Sequence, residues 1–338
     1  MILFRIDLSI KEGLGHYNRV KSLIKYLNLK KYKIIVDNLP NISFFKTEIN
    51  NILPLYEANR NFVSEKNDAL LFLKLIKEKF KNPVVIKDSY RLGYNWEKSV
   101  YRYCKKLVSI VDFPQKKYYV DYHINHSPSF SIKDEKILKK IKINNKKKCT
   151  FLLGPNYALF NSSINKKKII SDLVFYNGGS GNVLIYEKVI KKILKNTKKK
   201  TKVILIAGPF VKNYKLICQK FNIYKNINII YKPKNILNIV KGTKVFISSA
   251  GVSMFESSFL KIPTLLFKMN KNQTLDDKDC EKLGHYFSLE KKDLNFVDKI
   301  ANLISLMLKN NDKIKKMMFN SSLNIKTIKK KYQKHLKI

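Results

Sequence analysis

Arginine and glycine are scarce in this sequence, and long apolar runs are missing. Only five of its 68 basic residues are arginine (Arg5, Arg19, Arg60, Arg91 and Arg102), and 338 residues include just 11 glycines, about half the share typical of soluble proteins. No stretch of about 18 consecutive apolar residues occurs, so no membrane-spanning helix is expected. Arg5 and Asp7 interrupt the apolar run at the start, which argues against a secretory signal and points to a cytoplasmic protein. Cys104, Cys149, Cys218 and Cys280 lie far apart without paired spacing, indicating neither a zinc ribbon nor a disulfide framework. The G-x-x-x-x-G-K-[ST] loop and the G-x-S-x-G elbow are both missing, which leaves P-loop chemistry and serine-hydrolase chemistry unsupported.

Acidic residues number 25, and the formal net charge is +43. Such a balance raises a polyanion-binding reading, because lysines that neutralise phosphates release counterions. Lysine, asparagine and isoleucine are all abundant here, and all three are encoded by AT-rich codons, a source for the excess other than a selected binding face. The lysines are also spread over helix faces and loops, as at 146–148 and 198–200, without the interleaved aromatics of a stacking platform. Charge alone carries no site, so no specific nucleic-acid partner is expected.

Short apolar runs alternate with segments of three-to-four residue apolar spacing, the pattern of parallel sheets covered by helices. In the first half, Ile2 to Ile6, Lys33 to Val36, Val84 to Lys87 and Leu107 to Val111 read as buried strands. His16 to Leu27, Val63 to Phe80 and Arg91 to Cys104 read as the helices between them, and 132–148 as a polar excursion. A second series starts near Ser171, with strands at Leu173 to Tyr176, Val203 to Ile206, Ile227 to Ile230, Val245 to Ile247 and Thr264 to Phe267. The expectation is an α/β chain of two Rossmann-like domains facing a cleft. Residues 1–168 form the first, 169–310 the second, and 311–338 a terminal helix that crosses back to the first.

Where glycine is rare, its clusters carry information. Gly13 and Gly15 follow the first strand, Gly178, Gly179 and Gly181 the first strand of the second half, Gly208 follows Ile206, and Gly251 follows Ser249. All are strand-to-helix turns on the carboxyl edge, where open α/β sheets bind ligands and helix starts offer N–H groups to an anion. Together they favour a phosphate-bearing ligand, although each alone is explained by a tight turn. His16 opens the first helix, whose positive end disfavours imidazolium, so a neutral ring there can take a proton from water; a plain surface histidine is the competing reading. Arg19 shares its helix face. The segment Ser248 to Glu256 leaves room for a diphosphate at Gly251, Val252 and Ser253, with Glu256 placed for the ribose hydroxyls; a capping box between Ser253 and Glu256 is the alternative. Asn272 and Gln273 follow another strand end and can reach a sugar or base. His123 and His126 are not expected to converge on a metal, and Asp276, Asp277 and Asp279 sit where a helix start explains them. No metal or other cofactor is called for.

Taken together, Arg5-Ile6-Asp7, Gly13-Leu14-Gly15-His16 with Arg19, Lys87-Asp88-Ser89-Tyr90, Leu153 to Leu159, Gly178-Gly179-Ser180, Gly251 to Glu256 and Asn272-Gln273 resemble one family. It comprises the nucleotide-sugar hydrolases of pseudaminic acid biosynthesis, which release UDP from a UDP-linked diacetamido-trideoxyhexose. The resemblance implies a GT-B-like fold, a UDP-sugar substrate, no metal, and inversion at the anomeric carbon. It further implies that His16 activates water, that Tyr90 and Asn272 line the sugar pocket, and that Gly251 to Ser253 with Glu256 hold the UDP; Gly15, Arg19, Asp88, Gly179, Ser180, Gly208 and Gln273 are the other candidate substrate-binding residues. The chain departs from the family pattern at Phe113, Gly181 and Asn161, where a second aspartate, an aspartate and an arginine are usual. A GT-B glycosyltransferase with an acceptor hydroxyl in place of water is the alternative within the same fold.

Overall fold

The computed structural model describes residues 1–8, 14–38, 49–56, 63–112, 117–128, 149–165, 169–197, 200–268, 283–284, 287–290, 295–318 and 323–338. They divide into two compact units, one of residues 1–159 with 326–338 and one of residues 160–325. No helix among the described residues is long and apolar enough to cross a membrane.

The first unit is built on a parallel sheet ordered β3-β2-β1-β4-β5-β6-β7. Its strands are β1 (Ile2–Ile6), β2 (Tyr32–Val36), β3 (Ile52–Pro54), β4 (Val84–Asp88), β5 (Lys106–Ile110), β6 (Tyr122–Asn125) and β7 (Thr150–Leu153). All five residues of β4 are buried, as expected of a central strand covered on both faces. Helices α1 (Gly15–Tyr26), α2 (Glu65–Lys79) and α3 (Tyr94–Tyr101) supply the crossovers. Helix α2 begins later than its apolar spacing suggests because Ser64 caps it, accepting from the Asn67 N–H at 3.3 Å. The segment before α3 is not helical from Arg91, whose side chain is engaged in ion pairs instead.

The second unit carries a parallel sheet ordered β10-β9-β8-β11-β12-β13. It comprises β8 (Ser171–Tyr176), β9 (Val203–Ala207), β10 (Ile227–Tyr231), β11 (Thr243–Ser249), β12 (Thr264–Lys268) and β13 (Phe287–Glu290). Helix α4 (Glu187–Asn196) buries Val189, Ile190, Ile193 and Leu194 against this sheet and turns its lysines outward, the division that its spacing dictates. Helices α5 (Tyr214–Phe221), α6 (Leu237–Val240), α7 (Val252–Phe259) and α8 (Phe296–Lys309) complete the layers.

The C-terminal segment is two helices rather than one. Helix α9 (Asn311–Met317) belongs to the second unit, whereas nearly all of α10 (Ile325–His335) belongs to the first. The unit boundary near the middle falls at Leu159 and Phe160, nine residues before the position expected from the sequence. In α10 the apolar positions Ile328 and Tyr332, with Leu336 just beyond, are buried, and the Tyr332 hydroxyl donates to the Tyr157 carbonyl at 2.6 Å. Tyr332→Ala is expected to destabilise the chain by about 3–5 kcal/mol, and Tyr332→Phe by about 1 kcal/mol. Urea unfolding of the two variants checks this; equal losses would mean that the hydroxyl rather than the ring holds α10.

Candidate functional site

In the first sheet the direction of winding reverses between β1 and β4, and polar side chains gather on the carboxyl edge there. Across β2, β1, β4 and β5 the strand ends present Asp37, Asp7, Asp88 and Asp112 in turn, and the end of β6 presents His126. Two arginines tie these carboxylates in pairs. Arg91 contacts Asp7 at 2.8 Å and Asp37 at 2.7 Å. Arg19 binds Asp88 through Nε (2.9 Å) and a terminal nitrogen (2.6 Å), and its other terminal nitrogen contacts both oxygens of Asp112 at 2.6 Å. A third arginine, Arg5, is fully buried and bonds Asp37 and Asp68.

His16 stands at the centre of the second pair. Its Nδ1 lies 2.6 Å from Asp88 Oδ1 and 2.8 Å from an Arg19 terminal nitrogen. Tyr90 packs edge-on against the imidazole, with ring centres 4.6 Å apart, and donates its hydroxyl to Asp112. His16 is 2% exposed, which removes the surface-residue reading. Because α1 starts at Gly15 and has no acidic residue in its first turn, the carboxylate next to this ring comes from β4. A Cβ at Gly15 would meet none of the described residues within 4 Å.

Burial works against the charge on Asp88, but Arg19 and then His16 outweigh it and hold its carboxyl below the ordinary value. Asp112 is held lower still; burial opposes its charge, and Arg19 and His126 more than offset that. Burial raises the Tyr90 phenol, which stays a neutral donor. His126 Nε2 lies 3.4 Å from Asp112, and burial pushes this imidazole down to about 4, so it is neutral near pH 7. His123, by contrast, packs among Tyr118 and Phe151, away from His126.

In the second sheet the winding reverses between β8 and β11, and the remaining glycine clusters meet at that edge. Gly179 and Ser180 follow β8, while Gly251, Val252 and Ser253 lead from β11 into α7. Among the described residues, nothing lies within 4 Å of a Cβ added at Gly251. Gly251 is also the N-cap residue of α7 and no side chain caps the helix, so the capping box is not formed. Ser253 instead pairs with the Ser248 hydroxyl at 2.8 Å. Glu256 is buried; desolvation raises its carboxyl to about 8, opposed by a hydrogen bond from the Asn161 backbone.

Gly208 has a packing explanation of its own. A Cβ there would stand 2.4 Å from the Gly179 carbonyl oxygen and 2.7 Å from that of Gly178, so the β8 and β9 turns approach too closely for any side chain. Gly181 is similar, with Asn177 O at 1.7 Å, which is why the aspartate usual in the resembling family has no place in this turn. Asn161, where an arginine is usual, is bonded to Asn235 and Ser163.

The structure thus brings Gly15, His16, Arg19, Asp88 and Tyr90 to one edge of the first unit, and Gly179, Ser180, Gly208, Gly251, Val252, Ser253 and Glu256 to one edge of the second. Asn272 and Gln273, together with Gly13, the polar excursion at 132–148, Asp276, Asp277 and Asp279, lie outside the described residues. Sequence reasoning passed over Asp112, His126 and the Asp7, Asp37 and Arg91 set as site residues. Their shared signal is position, one to three residues beyond a buried strand, which pairwise motif spacing does not register.

No family model matches the chain. It is similar in sequence to the uncharacterized protein MJ1062 of Methanocaldococcus jannaschii, 26% identical over 288 residues that cover 79% of this chain and 55% of that protein. The chain therefore spans about half the length of the curated relative it matches. Among solved structures, MurG of Acinetobacter baumannii superposes with a TM-score of 0.60 at 8% identity, covering 100% of this chain and 99% of that one. A UDP-glucosyltransferase of Polygonum tinctorium gives 0.61 at 10% identity over 97% and 93%, and TcCGT1, solved with UDP, gives 0.61 at 11% over 97% and 94%. The fold of this chain is α/β and GT-B-like.

Proposed function

We propose that this chain transfers a sugar from a UDP-sugar to an acceptor hydroxyl, with His16 as the general base and the switch-point edge of the second unit as the nucleotide site. The observation that carries the reading is the His16 Nδ1 to Asp88 contact of 2.6 Å within the Arg19 cluster. A carboxylate on Nδ1 holds that nitrogen protonated and leaves the Nε2 lone pair free to take a proton. The acceptor oxygen then attacks the anomeric carbon as its proton passes to Nε2, and the bond to the UDP oxygen breaks with inversion. UDP is a good leaving group, so one base suffices, and the open start of α7 offers backbone N–H groups to the growing phosphate charge. The glycosyltransferase neighbours support this acceptor class.

A second reading, a hydrolase in which water replaces the hydroxyl, is favoured by the sequence motifs around His16, Tyr90 and Gly179. The two are separated by following UDP release from a panel of UDP-sugars without an acceptor. Full turnover in buffer selects the hydrolase, and release only on addition of a hydroxyl acceptor selects the transferase.

His16→Asn keeps a donor toward Asp88 and removes the base, so kcat should fall about 10²- to 10⁴-fold with little change in KM. Turnover close to wild type would remove His16 from the mechanism.

Glu256 supplies a pH prediction. Its folded carboxyl, raised from 4.5 to about 8, favours the native state fully below pH 4.5 and loses that advantage as pH climbs through 8. Glu256→Gln should therefore gain stability relative to wild type between those limits, read as the difference in urea midpoints at the two ends. A constant difference across the window would show that Glu256 is not titrating there.

A further inference from the structure

His16 Nδ1 has two neighbours that make opposite demands on it. Asp88 at 2.6 Å asks it to donate, and the Arg19 nitrogen at 2.8 Å asks it to accept. Only one can be met at a time, so the outcome depends on how Arg19 divides its charge. The guanidinium is forked between Asp88 and Asp112, and Asp112 in turn receives the Tyr90 hydroxyl and faces His126. The more strongly Asp112 draws Arg19, the more of the Asp88 charge is left for His16.

We propose that Asp112 is a positioning residue that acts on His16 through Arg19, fixing which ring nitrogen of His16 carries the proton. The inference rests on His16 being the base of the reaction proposed above, but the coupling itself is a property of the folded chain. With Asp112 charged, it draws off part of the guanidinium charge that faces Nδ1, the ring donates to Asp88, and Nε2 is the free base. With Asp112 neutralised, the whole guanidinium charge falls on Asp88 and Nδ1, which favours Nδ1 as an acceptor and moves the proton to Nε2. The groups that bear on the ring are Arg19 from α1, Asp88 from β4 and Tyr90 after it. Asp112 after β5, His126 after β6 and Tyr332 from α10 reach it through Arg19. His126 is neutral near pH 7 and braces Asp112 without competing for Arg19.

The test is nitrogen NMR of the full chain with labelled histidine, the His16 signals being assigned by their loss in His16→Asn. In wild type the neutral ring should carry its proton on Nδ1. In Asp112→Asn the neutral ring of His16 should shift in population toward the Nε2–H tautomer. Tyr90→Phe keeps the ring contact but removes the hydroxyl from Asp112, freeing more of its charge for Arg19; here the Nε2–H fraction should fall below that of wild type. If Asp112→Asn does not fold, Tyr90→Phe alone decides. Unchanged tautomer populations in the folded variants, with only a lower Tm, would overturn the proposal and make Asp112 a structural brace. The tautomer shifts appearing in a chain that releases UDP from no UDP-sugar would support the coupling while the functional reading fails. UDP release with unmoved tautomer populations would be the reverse.

Discussion

The sharing of Arg19 between Asp88 and Asp112 is the interaction on which the first unit's functional edge depends. Parallel strands that end side by side bring their terminal carboxylates together, and such charges cannot stay ionised out of water without close cations. A guanidinium meets the need because its planar fork can bind two carboxylates at once, which the point charge of lysine cannot do. Three of the five arginines, Arg5, Arg19 and Arg91, are spent on this edge. A chain whose cations are mostly lysine places arginine where the geometry demands it. Lys87, fully buried one residue before Asp88, pairs with Glu97 at 2.6 Å and donates to the Leu92 carbonyl, one carboxylate and one carbonyl that a single ammonium satisfies.

The second unit solves a different problem with a different residue. Its edge must let backbone approach backbone at the β8 and β9 turns while leaving open space at the start of α7. Glycine serves both ends, for opposite reasons. At Gly208 the missing side chain is filled by the neighbouring turn, and at Gly251 it is left unfilled. Only the second kind leaves room for a ligand, a distinction that counting glycines at strand ends does not make.

Much of the architecture was legible in the sequence because the central strands are unbroken apolar runs and helices such as α4 carry one apolar face. Four strands at or next to the sheet edges were not. β3 is three residues long and ends in proline, β6 carries His123 and Asn125, and β7 and β13 are four residues each, too short for a periodic signal. Within the site, His16, Arg19, Asp88 and Tyr90 were legible as motif residues. Asp112 was not, because its importance lies in a contact with Arg19 across 93 residues of chain that only the sheet order creates. The capping-box reading of Ser253 and Glu256 failed for a related reason: the spacing was right, but α7 starts at Val252, which puts Ser253 inside the helix.

The return of α10 makes the first unit discontinuous, with the whole second unit inserted between Leu159 and Lys326. During synthesis on the ribosome, the second unit has every residue it needs before the first is complete. The first lacks Tyr332, and its bond to the Tyr157 carbonyl, until residues 326–338 have been made. All seven strands of the first sheet precede the second unit, and it is helix α10 alone that ties the two ends of the first unit together across that insertion.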